Sequence, residues 1–312
     1  MANTPSAEAK AGWTLVSLPA IYVLLMLAAP LILVFGLSFA GLEGGAKVSL
    51  PLQEGQDLHF TLSNYAKLFC WSASDTCSAT DVRMAQATAT AMGRSLMVAA
   101  LVTLTTVLLA YPVAYYVSFH VAPSKKSLWL FLITIPFWTS YVIRVALWRT
   151  ILGYDGAVDA ALGAVGIIDQ PLNLLQYGTL SIVITLSHAY APFAVLPIFV
   201  SLEKVDRSLL EAGQDLGESR WTTFLRVTLP LSMAGVVAAV LIVFIPTVGD
   251  YVTPELIGSG KVPMIANFIE TQMWKLRNQA MGSTLAVSSM LIVAVVATLF
   301  VLANRRFLGG RK

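Results

Sequence analysis

An all-α integral membrane protein of about six transmembrane helices is the fold class this sequence predicts, and three observations predict it. Of 312 residues, 57% are hydrophobic and 12% are charged, about half the charged share of an ordinary soluble domain. A soluble chain of this length needs more polar surface to cover its core, so the bilayer is its solvent. About six apolar stretches are each long enough to span roughly 30 Å of hydrocarbon. Basic residues, finally, concentrate in alternate connecting segments, as the positive-inside rule requires.

The first stretch, 13–40, follows Lys10 and is too long for a signal-peptide core, so it reads as a retained anchor. The others are 95–119, 127–152, 179–200, 231–249 and 282–303; the third carries Arg144 and Arg149, and the fifth contains Pro246. With the N-terminus inside, the inner segments hold Lys10, Lys125, Lys126, Lys204, Arg207, Arg220, Arg226, Arg305, Arg306, Arg311 and Lys312. The outer segments hold Lys47, Lys67, Arg83, Lys261, Lys275 and Arg277, with Arg94 at an outer boundary. An even number of spans returns the C-terminus to the inner side.

Acids gather outside: Glu43, Glu54, Asp57, Asp75, Asp81, Asp155, Asp159, Asp169, Asp250, Glu255 and Glu270. An acidic mouth concentrates a cationic solute through its summed field. The plainer reading, preferred for most of them, is that they are solvated loop residues. A net charge of +3, dispersed along the chain, gives no footprint for nucleic acid. Cys70 and Cys77 are the only cysteines, in a segment placed outside; a small disulfide and two free thiols both fit. Two thiols with no nearby His are too few ligands for a metal, so no metal site is expected.

No internal repeat, low-complexity tract or long linker interrupts the chain. The organisation expected is one membrane domain over 13–304 with cytoplasmic tails 1–12 and 305–312. The segment 153–177 reads as an outer excursion with a short surface helix, and 258–278 as a second, amphipathic one.

The polar island Glu211-Ala212-Gly213-Gln214-Asp215-Leu216-Gly217, which closes on Val227, Leu229 and Pro230, lies between two apolar spans on the basic side. Motion generated in a cytoplasmic partner needs a stiff lever to reach membrane helices, and 201–226 suits two short helices. Ala212 and Gly213 keep one face small enough to seat in a groove. Gly217 allows a sharp change of direction because it tolerates positive φ. Glu211 is placed as an anionic contact or a local helix cap, and Pro230 starts the next helix where its missing N–H costs little. No phosphate loop accompanies it: around Gly258-Ser259-Gly260-Lys261, Glu255 and Val262 stand where Gly and Ser/Thr are required.

Two further runs mark a candidate solute pathway. In Pro136-Phe137-Trp138-Thr139-Ser140-Tyr141-Val142-Ile143-Arg144, continuing to Trp148, polar groups beside an intramembrane Arg either face a protein or water-filled interior or form an interfacial belt with snorkelling arginines. In the run from Val248 to Gly258, Asp250 and Glu255 with Tyr251 between them could hold an ammonium group by charge and cation–π contact. Pro254 and the flanking glycines would break the helix there. Otherwise the run is a helix-ending turn with solvated acids. Tyr190 suits an amine and its aliphatic chain alike, whereas His188, with no acidic neighbour in sequence, reads as a packed residue.

On the island's residues, Glu-Ala-small-x3-Gly followed by branched apolar-x-Leu-Pro, the chain resembles the permease subunits of binding-protein-dependent ABC importers. Gly213 departs from the family's usual Ala. The Pro136–Arg144 run, His188–Pro197, Leu202-Glu203-Lys204-Val205-Asp206 and Gly249–Glu255 resemble the spermidine/putrescine (polyamine) group, and the similarity covers 95–303. The segment 50–83 has little that matches it.

That resemblance implies a type I importer permease in the bacterial inner membrane, with both termini cytoplasmic. The chain itself would be no enzyme and carry no cofactor; ATP and Mg would belong to a partner ATPase dimer. A second permease of different sequence and a periplasmic solute-binding protein would complete the assembly. ATPase coupling would fall on Glu211, Ala212, Gly213, Gly217, Leu229 and Pro230. The pathway would include Trp138, Thr139, Tyr141, Arg144, Tyr190, Asp250, Tyr251 and Glu255. An importer of another small organic solute is the second reading. An ATP-independent secondary transporter is the third, and needs mid-span ionisable residues and inverted repeats; the second, fourth and sixth spans have no Asp or Glu in their central parts.

Overall fold

A computed structural model describes residues 7–42, 47–51, 57–72, 74, 77–258 and 260–308. Glu43, Glu54, Asp75, Ser259, Arg311 and Lys312, like the tail ends 1–6 and 309–312, lie outside the described residues. In chain order the elements are α1 (Ala7–Ser38), β1 (Ala40–Leu42), β2 (Leu58–Phe60), α2 (Ser63–Leu68), α3 (Ala79–Phe119), α4 (Pro123–Thr134), α5 (Tyr141–Leu152) and α6 (Ala157–Ala164). They continue with α7 (Gly178–Leu202), α8 (Arg207–Asp215), α9 (Arg220–Thr223), α10 (Leu229–Val248), α11 (Val252–Leu256), α12 (Ile265–Glu270), α13 (Gln279–Ala303) and α14 (Arg305–Leu308).

Among the described residues, 5 helices are long and apolar enough to cross a bilayer, and 6 if one bent pair counts as a single span. That pair is the expected third span. It breaks between Trp138 and Tyr141 and bends by 85°. Pro136 closes α4 into a 3-10 turn over Ile135–Trp138, and Thr139 and Ser140 then run extended before α5 begins. The cause is local, because a proline ring displaces the carbonyl four residues back. The second span, α3, starts at Ala79 rather than near 95, since the polar stretch 79–94 contains no proline to stop the helix.

The described residues fall into two compact units, 1–85 with 269–288 and 86–268 with 289–312. In the first, α1 presents apolar side chains all round over 19–35, and its β1–β2 hairpin pairs Ala40 with Phe60, Gly41 with His59 and Leu42 with Leu58. A helix apolar on every face belongs in lipid or a large core. Ala40, Leu42, Val48 and Ala280 form the unit's small core. Phe39 stacks on Phe60 at 5.2 Å, and Tyr65 donates to Ser38 Oγ at 2.8 Å. Cys70 and Cys77 are joined by a disulfide, beside the Ser74–Cys77 bridge.

The second unit is built on α7, whose buried face includes Ile182, Leu186, Ala194, Ile198 and Leu202. It packs on α10 at Gly235, where an added Cβ would stand 2.4 Å from Pro197 O and 2.5 Å from Ser201 Cβ. Small residues let membrane helices approach this closely, and interhelical hydroxyl pairs hold them. Tyr111 with Ser232 at 2.8 Å and Thr105 with Ser187 are such pairs. Gly235→Ala is expected to lower the stability of the folded subunit by about 1–3 kcal/mol, since neither a backbone carbonyl nor a Cβ can swing aside. The thermal midpoint of the purified protein checks this, and an unshifted midpoint contradicts the close approach.

One of the expected solvated acids is something else. Asp159 is 5% exposed and accepts backbone N–H groups from Asp155 at 3.1 Å, Leu172 at 3.2 Å and Asn173 at 3.5 Å. It gathers the excursion between α5 and α7, where Asp155 and Asn173 both take positive φ. Asp155, Asp169 and Glu255 are exposed, as solvated acids should be.

Candidate functional site

The polar island folds as a two-helix arm. Asp206 caps α8 by accepting from the Ser208 N–H at 3.0 Å, and Ser219 caps α9 by accepting from the Thr222 N–H at 3.2 Å. Each short polar side chain satisfies a donor that the first helical turn leaves free. Helix α8 ends at Gly217, whose φ is 81°. The Gly217 N–H donates to Gln214 O at 2.9 Å and the Glu218 N–H to Gly213 O at 3.1 Å. Those two bonds are a Schellman ending, which needs a left-handed residue at Gly217. Arg226 then pairs with Glu218 at 2.9 Å across the turn.

Gly213 faces α9: a Cβ there would lie 3.3 Å from Thr223 Cγ2 and 3.3 Å from Thr223 Oγ1. Its small size therefore serves the packing of the two arm helices. Glu211 lies within α8, exposed, so the capping role considered for it falls to Asp206 and Ser219. Its carboxylate stands on the solvent-facing side of α8. Ala212 is exposed beside it. Pro230 does not open a fresh helix either. Thr228 is already helical, and α9 runs through a wide π turn at Phe224–Thr228 directly into α10. A wide turn there accommodates the bond that Pro230 cannot donate. Leu229 packs against the subunit's main core.

Sequence reasoning missed two apolar residues on this arm. Leu216 is 85% exposed and Trp221 68% exposed. Both sit where the arm turns, and exposed large apolar groups beside a lever are contact candidates. The signal was present, since both interrupt an otherwise polar run.

At the root of the arm, Glu203 follows the last residue of α7 and receives two cationic hydrogen bonds from Lys126 Nζ, 2.6 Å to Oε1 and 2.8 Å to Oε2. Ser118 Oγ also donates to Oε1. Burial alone would raise the Glu203 pKa, but the hydrogen bonds from Lys126 and Ser118 outweigh it and hold the carboxyl below the ordinary glutamate value.

The candidate pathway residues sort into two groups. Tyr141 and Asp250 come together: the Tyr141 hydroxyl donates to Asp250 Oδ2 at 2.9 Å and lies 2.7 Å from Thr253 Oγ1. Asp250 is 7% exposed, and its Oδ1 accepts from the N–H groups of Val252 at 3.0 Å and Thr253 at 3.4 Å. It thereby caps α11, with Thr253 as a partner not singled out in the sequence. Arg144 sits one turn along α5 from Tyr141, its guanidinium 4.9 Å from the centre of the Phe137 ring. Its Nε and Nη1 atoms are buried without a hydrogen-bond partner. Phe137 meets Phe193 edge-on at 4.1 Å, and Tyr190 lies 6.3 Å from the Phe193 ring. Trp148 Nε1 donates to His188 Nδ1 at 3.1 Å.

The second group points elsewhere. Trp138 is exposed and meets Phe131 edge-on, and Thr139 Oγ1 donates back to Pro136 O at 2.9 Å. Tyr251 and Glu255 are exposed, and Arg149 likewise. The interior and belt readings of the Pro136–Arg144 run thus divide by residue: Tyr141 and Arg144 face protein, Trp138 and Arg149 do not. No group of three or more His, Cys, Asp or Glu side chains that could hold a metal occurs among the described residues.

Comparison with known proteins accords with this architecture. Residues 13–308 match the family described as binding-protein-dependent transport system inner membrane component. The spermidine/putrescine transport system permease protein PotB of Haemophilus influenzae is 30% identical over 276 residues, 88% of each chain. Its Escherichia coli counterpart is 32% identical over 211 residues, 68% of this chain and 76% of that one. The E. coli inner membrane ABC transporter permease protein YdcU is 28% identical over 214 residues, 65% and 67% of the two chains. A bacterial ABC transporter that imports the acidic polysaccharide alginate shares the fold, with a TM-score of 0.65 at 17% identity, over 96% of this chain and 97% of that one. An ABC importer fold, a match over nearly the whole length and relatives that are permease subunits lead to one conclusion: the chain belongs to the family of inner membrane components of binding-protein-dependent transport systems.

Proposed function

We propose that this chain is one of two permease subunits of an ATP-driven importer that carries polyamines, organic cations of the spermidine/putrescine kind, across the bacterial inner membrane. The observation that carries the substrate is the identity of 30% over 88% of the chain with a spermidine/putrescine permease. The Tyr141–Asp250 pair beside the aromatic group of Phe137, Phe193 and Tyr190 supports it, since an anion with aromatic walls suits an amine on an aliphatic chain.

In this reading a separate ATPase dimer binds ATP and Mg and closes beneath the arm formed by α8 and α9. Closure pushes the arm, and the bundle turns from inward-facing to outward-facing to accept solute from a periplasmic binding protein. Hydrolysis resets it. Two packings of the bundle must then differ by only a few kcal/mol, each favoured by a different partner. The second permease is a different chain, both termini are cytoplasmic, and the basic residues around the arm support that orientation.

A second reading has its own support. An alginate importer has the same fold, so the fold leaves the solute open, and another small organic solute remains the competing cargo. Uptake by membrane vesicles holding the whole importer separates the two. Polyamine uptake that unlabelled putrescine or spermidine competes away is the expected result; uptake of a neutral or anionic solute alone would move the assignment to the second reading.

A further inference from the structure

We propose that Glu203 is a positioning residue that fastens the coupling arm to the membrane helices, so that α3, α4, α7 and α8 move as one body when the arm is pushed. The inference rests on the importer reading above and concerns a residue outside the polar island.

Two helices bind this carboxylate directly, and α7 and α8 join the same cluster. The Glu203 backbone N–H closes the end of α7 by donating to Phe199 O at 2.9 Å. Lys126, in the first turn of α4, binds both carboxylate oxygens, and its side chain is only 12% exposed. Ser118, near the end of α3, is buried and donates its hydroxyl to Glu203 Oε1. The Ser118 carbonyl in turn accepts from Arg207 Nη2 at 3.2 Å, and Arg207 is the first residue of α8. The Arg207 guanidinium also lies 6.0 Å from the centre of the Phe119 ring.

The chain between α7 and α8 is short and held. Lys204 N–H donates to Ser201 O and Val205 N–H to Leu202 O, and Asp206 is already the cap of α8. The near end of the arm therefore has no slack, while its far end turns at Gly217 and continues through α9 into α10. A push on α8 reaches α10 through the chain itself. It reaches α3 and α4 through the Glu203 cluster. Exposed ion pairs alone hold elements weakly, but one carboxylate that takes three side-chain hydrogen bonds from two other helices fixes a geometry.

The test is the ratio of solute imported to ATP hydrolysed, measured in proteoliposomes that hold the complete importer and its binding protein. A merely structural role lowers the number of intact complexes and leaves this ratio alone. Glu203→Gln should lower the ratio at least fivefold, and Lys126→Met should do the same, while Lys126→Arg should keep it near the wild-type value. If Glu203→Gln fails to assemble, Lys126→Met and Ser118→Ala carry the test. Wild-type ratios in the assembled variants overturn the proposal, as do uptake and hydrolysis that fall in equal proportion. A wild-type complex whose hydrolysis is independent of the loaded binding protein overturns the importer reading instead.

Discussion

Gly217→Val should cut solute uptake roughly 5- to 30-fold, whereas Gly217→Asn should cost much less. The residue adopts φ 81°, and nothing lies within 4 Å of an added Cβ, so the penalty is conformational rather than steric crowding. A left-handed L-residue costs about 1–2 kcal/mol, and Asn suffers less because its short polar side chain bonds locally. That energy corresponds to about a 5- to 30-fold change in an equilibrium. Here the equilibrium is between an arm whose Schellman ending is intact and one in which Leu216 and α9 point elsewhere. Co-purification of the ATPase and uptake in vesicles measure the effect. Equal behaviour of the Val and Asn variants would show that the arm does not depend on this turn.

Asp250→Asn should reduce uptake of a polyamine at limiting concentration by roughly tenfold, which corresponds to about 1.4 kcal/mol. Two unit charges about 4 Å apart interact by about 4 kcal/mol at an effective dielectric constant near 20, so a partly screened contact suffices. Asn keeps the shape and one acceptor oxygen for the Val252 and Thr253 N–H groups, so α11 stays capped. In the conformation described here Asp250 is already engaged by Tyr141, so the cation would have to displace or join that hydroxyl. Tyr141→Phe serves as the companion: it frees Oδ2 and should alter the solute affinity without removing the charge. Unchanged uptake in both variants at limiting solute would remove Asp250 from the pathway.

The spans were legible because a long apolar run has few alternatives to lipid. What prolines do in detail was less legible. Pro136 does not merely kink the third span but turns it by 85°, and Pro230 lies within a continuous helix widened at Phe224–Thr228. Both outcomes depend on packing that the sequence does not print. The arm was the most readable part, since the turn at Gly217 acts locally. Glu211 was the exception: its spacing fits a cap, but Asp206 starts α8 earlier and leaves it mid-helix.

The buried polar contacts were the least readable. Glu203 lies 85 residues from Ser118 and 77 from Lys126, Tyr141 lies 112 from Thr253, and no local pattern announces such pairs. Asp159 was read as a solvated loop acid because its composition context is that of a loop. Its three backbone donors come from both sides of the excursion, which only the folded chain brings together.

The central claim is that this subunit couples a partner's ATP hydrolysis to polyamine import, and the most direct test is ATPase activity of the assembled importer in nanodiscs. Hydrolysis should rise when the binding protein is loaded with putrescine or spermidine, and that rise should be lost with Gly217→Val. Hydrolysis that responds to no loaded binding protein, or the absence of any ATPase bound to the purified subunit, would contradict the account.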